Sequence, residues 1–155
     1  MVVQRGASVA LILSGDNFVL IKRAQRAGDP WSGNYALPGG MIKPNESPED
    51  AVVREVMEEV GLRFLKEDIS GRLPLSHPVS RPGLTVHPFV IHVSEIGGLV
   101  PGDEVAEARI CSLGSRSETT NPDNGFPAFN FSGWIVWGLT YRILLSYLNL
   151  RNQKS

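Results

Sequence analysis

Hydrophobic and polar positions first alternate in short runs and then change to a helical rhythm. Ala7 to Leu13 and Phe18 to Arg23 are β-rich runs on either side of the turn Ser14-Gly15-Asp16-Asn17, which predicts a hairpin. A turn-rich loop, Ala24 to Pro38, leads to the double glycine Gly39-Gly40. Ser47 to Val60 reads as a helix, with Ser47 as N-cap, Pro48 at the first helical position, Asp50 as a short capping-box acid and Gly61 closing the end. Val53, Val56, Met57 and Val60 would share its apolar side. Ile69 to Ser76, Leu84 to Val93 and Val105 to Leu113 read as further strands, with Pro88 placing the second at an edge or a bulge. Gly114 to Phe131 shows no periodicity and is expected to be a long loop, a candidate lid or specificity loop. Trp134 to Leu148 is expected to be a helix capped by Ser132, followed by a polar tail, Arg151 to Ser155, that frays. Strands bracketing a central helix before a terminal one fit an α/β sandwich.

The central helix gathers Glu55, Glu58 and Glu59 on one arc. Like charges three and four residues apart repel by a few tenths of a kcal/mol per pair and bring no packing in return. Carboxylates at this spacing suit a hard divalent cation, Mg²⁺ or Mn²⁺, which shares its shell with substrate phosphates. A solvated acidic face is the competing explanation, and the glutamates alone would favour it.

Composition narrows the choice. The 155 residues, 42% hydrophobic and 20% charged, fit a single domain spanning 1–155. A formal charge of -1 supplies no overall basic field, so neither a nucleic-acid polymer nor a membrane is an expected partner. No apolar run is long enough to span a bilayer. Cys111 is the sole cysteine, which excludes an intramolecular disulfide, fits a cytoplasmic location and reads as a buried strand thiol. His77, His87 and His92 lack paired metal-ligand spacing and read as structural.

Around the acidic helix, Gly40, Glu46, Arg54, Glu55, Val56, Glu58, Glu59, Gly61 and Leu62 fall at the fixed spacings of the Nudix box, and the chain resembles the Nudix hydrolase superfamily. The resemblance implies an α/β/α sandwich with a mixed sheet and the box forming a loop-helix-loop on one side. It also implies metal-dependent cleavage of a nucleoside diphosphate derivative, with Glu55, Glu58, Glu59 and the Gly39 carbonyl as metal ligands. Arg54 lies four residues before Glu58 and can brace it or Glu46, so Arg54 and Glu46 are expected to support the ligands. Glu104, after a Pro-Gly turn, is the candidate general base and Glu107 the reserve. Lys22, Arg23 and Arg26, with Gly40, are candidate phosphate contacts; solvated hairpin-end charges are the alternative for the three cations. Trp31 is expected to anchor its loop on the core.

Outside the box, Lys22-Arg23-Ala24 with Arg26, Gly33 to Gly40, Leu84 to Val90, Asp103 to Glu107 and Trp137 to Thr140 resemble the coenzyme A diphosphatase branch. The chain departs from that branch in the spacing between Arg23 and Gly33, and in Leu37 where the branch favours phenylalanine. ADP-ribose, dinucleoside polyphosphates and nucleoside triphosphates remain alternative substrates, and a non-catalytic nucleotide-binding module is the competing class. The expected partner is a small nucleoside diphosphate derivative, with a homodimer left open.

Overall fold

The structure is a computed structural model that describes residues 5–27 and 33–153. The predicted hairpin forms from β1 (Arg5–Ser14) and β2 (Asn17–Arg23), but the two strands pair only beside the turn, at Leu13–Phe18 and Ser14–Asn17. Beyond that point they diverge, and residues 35–41 fill the gap. β3 (Tyr35–Ala36) lies along β2 and β4 (Gly39–Met41) along β1, with the Ala10 N–H donating to the Pro38 carbonyl at 2.9 Å between them. The double glycine therefore enters the middle of the sheet. A Cβ on Gly39 would lie 2.1 Å from the Ser8 carbonyl oxygen, so only glycine fits this approach.

Helix α1 (Pro48–Val60) has the expected caps: the Ser47 hydroxyl accepts from the Asp50 N–H at 3.0 Å, and Gly61 is left-handed at φ 73°. The apolar side is rotated from the expected one. Ala51, Val52, Val56, Glu59 and Val60 are buried, whereas Met57 is exposed and Val53 only half-buried.

β5 (Ile69–Arg72) is shorter than expected, with Ser76 contributing only an isolated bridge to Val86. β6 (Leu84–His92) is an inner strand, parallel to β1 and antiparallel to β5, so of the edge or bulge argued from Pro88 the edge is excluded. The β5 side does carry register irregularities: Ile69 pairs with Ile91 and Gly71 with Val90, and beyond β5 Ser76 bridges Val86. The Pro88 carbonyl accepts from the Leu73 N–H on the β5 side, just past the end of β5. Its ring nitrogen faces the same way, past the last regular β5 pair, Arg72–Phe89, where the ladder has become irregular. β7 (Val105–Ser112) runs antiparallel along β2, and these strands complete a mixed seven-stranded sheet.

The chain from Gly114 to Trp137 corrects two expectations. In place of a long loop there are β8 (Ser117–Thr120) and β9 (Pro127–Phe131), paired antiparallel around the turn 121–126. All four residues of β8 are exposed, so the strand carries no hydrophobic alternation to read. Trp134–Trp137 is strand β10, paired with β9, and α2 (Gly138–Gln153) begins only after it. Ser132 caps no helix: with Gly133 it forms a tight turn in which both residues have positive φ, 52° and 96°. The tail does not fray at Arg151, which continues α2 and pairs with Asp16 at 2.8 Å; Lys154 and Ser155 lie outside the described residues.

One apolar core lies between the seven-stranded sheet and α1, around Val52, Val56, Val60, Phe89 and Ile91. A second lies on the opposite face, where Phe129, Phe131, Trp134, Ile143 and Leu144 bring α2 and the small β8–β10 sheet against Leu11, Phe18 and Leu20. The α/β sandwich expected from the element order is thus present, with α1 on the face that carries the acidic residues and α2 on the other. No helix among the described residues is long and apolar enough to cross a membrane.

Candidate active site

Helix α1 aims its three glutamates at the wedge formed by residues 35–41. Glu59 stands seven residues after Val52 and so falls on the buried stripe, only 3% exposed. Its Oε1 accepts from the Gly39 N–H at 2.7 Å, while its Oε2 is buried with no hydrogen-bond partner. The Arg23 guanidinium is 3.8 Å from that oxygen, near enough for charge attraction and too far for a hydrogen bond. Burial is the main cause that pushes the Glu59 carboxyl up to about 7, against the Gly39 hydrogen bond and the Arg23 charge, which act downward. Glu55 is also raised, first by burial, and the charge of Glu104 raises both glutamates, which places Glu104 in the electrostatic field of the site.

Arg54 organises the rest. Its Nε and Nη2 grip Glu46 in a fork at 2.8 and 2.9 Å, Nη1 reaches Glu55 at 2.7 Å and Glu58 at 3.2 Å, and Nη2 also donates to the Met41 carbonyl at 3.0 Å. These bonds to Arg54 hold the Glu46 carboxyl down at about 2. One guanidinium therefore fastens the loop after Gly40 to the helix and offsets the repulsion between Glu55 and Glu58. Gly40 leaves room for this: a Cβ there would sit 2.5 Å from the Glu55 carboxyl carbon.

Among the described residues no three His, Cys, Asp or Glu side chains converge as a ready metal cage, because Glu55 and Glu58 turn to Arg54 and Glu59 turns to Gly39. The donor set nevertheless fits a hard divalent cation. Glu59 Oε2 is a buried acceptor without a donor, and two further carboxylates lie on the same helix face. The ladder bonds at Ala10–Pro38 and Ile42–Gly6 leave Gly39 at a non-hydrogen-bonded position, so its N–H and C=O both turn away from β1. The Gly39 carbonyl is thus free of the ladder, as a ligand would need to be.

The NUDIX domain model matches residues 3–126, four-fifths of the chain. The chain belongs to the NUDIX domain family. It is 37% identical over 103 residues to an ADP-ribose pyrophosphatase of Methanocaldococcus jannaschii, a match covering 66% of this chain and 59% of that one. It is 30% identical over 104 residues to the CTP pyrophosphohydrolase of Escherichia coli, covering 67% and 73%. The alignment therefore spans less than two thirds of the first of these relatives. A MutT/nudix family protein from Enterococcus faecalis has the same fold, with a TM-score of 0.73 at 21% identity over 98% of this chain and 64% of that one.

Within this NUDIX chain the remaining candidate residues separate by sheet face. Arg23 lies beside Glu59, and Arg26 pairs with Glu104 at 3.6 Å. Lys22 does not join them: its ammonium lies 5.9 Å from the centre of the Tyr35 ring, on the face that carries α2. Glu107 is opposite Lys22 in the β2–β7 register and pairs with Arg109, which covers Trp134, so it too is on the far face. A one-residue alternation decides this, and neither residue could be placed before the strand register was known. Trp31 lies outside the described residues. Cys111 is in β7 as expected but only half-buried rather than buried, and its thiol is pushed up mainly by the burial it has. His77 and His92 bond to the Leu84 carbonyl and the Ser70 hydroxyl. The Met41 carbonyl as an Arg54 partner was not foreseen, since a backbone acceptor leaves no mark in residue spacing.

Proposed function

We propose that this chain is a divalent-metal-dependent hydrolase that cleaves the diphosphate linkage of a nucleoside diphosphate derivative. The observation that carries the reading is the buried, donorless Oε2 of Glu59 beside Arg23 and the braced pair Glu55 and Glu58. A protein that only recognised a nucleotide would gain nothing from burying a carboxylate at this cost. The names of the matched relatives, a pyrophosphatase and a pyrophosphohydrolase, support the same reaction class.

In this reading Glu55, Glu58, Glu59 and the Gly39 carbonyl hold Mg²⁺ or Mn²⁺. Such an ion screens the diphosphate charge and lowers the pKa of bound water. Arg54, fixed by Glu46 and Met41, holds Glu55 and Glu58 against mutual repulsion, and the Gly39 N–H orients Glu59. Arg23 and Arg26 bind phosphate oxygens on the open side, where both guanidiniums already face carboxylates of the site. Glu104 accepts the proton of the attacking water; the new oxygen–phosphorus bond forms as the bond to the leaving phosphate breaks and takes its electron pair. Lys22 and Glu107 have no part, being on the other face.

For the substrate, the relatives' names put ADP-ribose and nucleoside triphosphates first, while the segments Lys22 to Arg26 and Asp103 to Glu107 keep coenzyme A in the set. The test is incubation of the purified protein with Mg²⁺ or Mn²⁺ and coenzyme A, ADP-ribose, dinucleoside polyphosphates or nucleoside triphosphates, with identification of products. Cleavage between phosphates in at least one compound is expected. Tight nucleotide binding with no turnover of any would replace the hydrolase by a binding module.

A further inference from the structure

The C-terminal end of α1 has no basic residue in its last turn, and its last two carbonyls, those of Glu59 and Val60, are satisfied by a segment distant in sequence. The Gly61 N–H serves Met57, the Val100 N–H donates to the Val60 carbonyl at 2.8 Å, and the Gly102 N–H donates to the Glu59 carbonyl at 2.9 Å. Residues 99–102 thus form a strap across the helix end, with Leu99 packed against the α1 core.

The seat at Gly102 admits no side chain. A Cβ there would stand 2.1 Å from the Glu58 carbonyl oxygen and 3.6 Å from the Glu59 Cα. From this seat the chain turns at once, with the Val105 N–H donating to the Gly102 carbonyl at 3.1 Å. Glu104 sits inside that turn, and its own carbonyl accepts from the Ala24 N–H at 2.9 Å. The backbone of Glu104 is therefore referenced on one side to the backbone of Glu58 and Glu59, and on the other to the Arg23–Arg26 segment.

We infer that Gly102 is a positioning residue for the reaction: by docking without a side chain on the end of α1, it sets the distance between Glu104 and the glutamates of the helix. The inference rests on the proposed hydrolase reading and on Glu104 as its proton acceptor. A methyl group at position 102 must lift the strap from the helix and carry Glu104 with it, and displacement of about 1 Å can cost on the order of 100-fold in rate. The Ala24 N–H keeps its hold on the Glu104 carbonyl, so the strap pivots at that bond: the Glu104 carboxylate turns away from the helix while the Arg23–Arg26 backbone keeps its place.

The experiment measures kcat and KM for wild type, Gly102→Ala, Glu104→Gln and the double variant, with amide hydrogen exchange of the unaltered protein alongside. The expected result for Gly102→Ala is a fall in kcat of roughly tenfold or more with KM little changed. The double variant should be no slower than the slower single, because both changes remove one contribution. The Gly102 amide should exchange as slowly as the amides of the last turn of α1, although it lies in a connecting segment. Unchanged kcat in Gly102→Ala, losses that multiply in the double variant, or loop-like exchange at Gly102 would each overturn the inference. Should the alanine variant fail to fold, the exchange measurement on the unaltered protein decides. Wild-type protein that turns over no diphosphate would instead overturn the hydrolase reading itself.

Discussion

Glu59 is a carboxylate held where its charge is poorly solvated, and it makes the folded state pH-sensitive. Its carboxyl lies near 7 in the folded protein against an ordinary value of 4.5, so the folded state binds more protons between those values. Stability from this group is complete below about pH 4.5 and is lost as pH rises through about 7, in total by roughly 3 kcal/mol. Denaturant unfolding in a chelator should show that decline, and Glu59→Gln should remove it and stabilise the protein at pH 8. At pH 8, Mg²⁺ should raise the melting temperature of wild type and not of Glu59→Gln. Glu46 behaves oppositely: its carboxyl is depressed to about 2, so its contribution is present above about pH 4.5 and lost as pH falls toward 2. Arg54→Lys keeps a charge and loses the fork to Glu46, and should cost about 1.5–3 kcal/mol in denaturant unfolding together with most of the activity. Full activity in that variant would show that the brace is dispensable.

Among the elements, helix α1 was legible before the fold because Ser47, Pro48 and Gly61 act locally, within one turn of the residues they cap. The burial of Glu59 is legible in its seven-residue spacing to Val52, whereas Met57, though apolar, lies off that stripe and is exposed. The β8–β10 hairpins were not legible for two physical reasons. β8 is wholly exposed, so no periodicity marks it, and the apolar run 134–148 holds a strand and a helix that cannot be separated by hydrophobicity alone. The Ser132-Gly133 pair was the available signal. Gly133 at φ 96° supports the β9–β10 turn, so Gly133→Val should destabilise the protein by about 1–3 kcal/mol in thermal or denaturant unfolding, with kcat unchanged because the turn lies on the face opposite α1. A wild-type melting temperature in that variant would argue against the tight turn.

At the scale of the molecule, the divergence of β1 from β2 admits the residue 35–41 wedge, and the wedge brings Gly39 and Gly40 beneath the carboxylates of α1. Membership of the NUDIX family was readable from the box because its residues are near in sequence, whereas the face on which each flanking charge lies depends on strand register. Arg23 and Arg26 reach the carboxylates; Lys22 and Glu107, one strand position out of phase, do not. The account stands on Glu59 serving a divalent cation in diphosphate hydrolysis. The most direct test is the initial rate of turnover of the best substrate against Mg²⁺ concentration, for wild type and Glu59→Gln. The expected result is saturable activation of wild type, no turnover in a chelator, and a loss of about 100-fold or more in Glu59→Gln. Equal rates in the two proteins, or full turnover in the chelator, would contradict it.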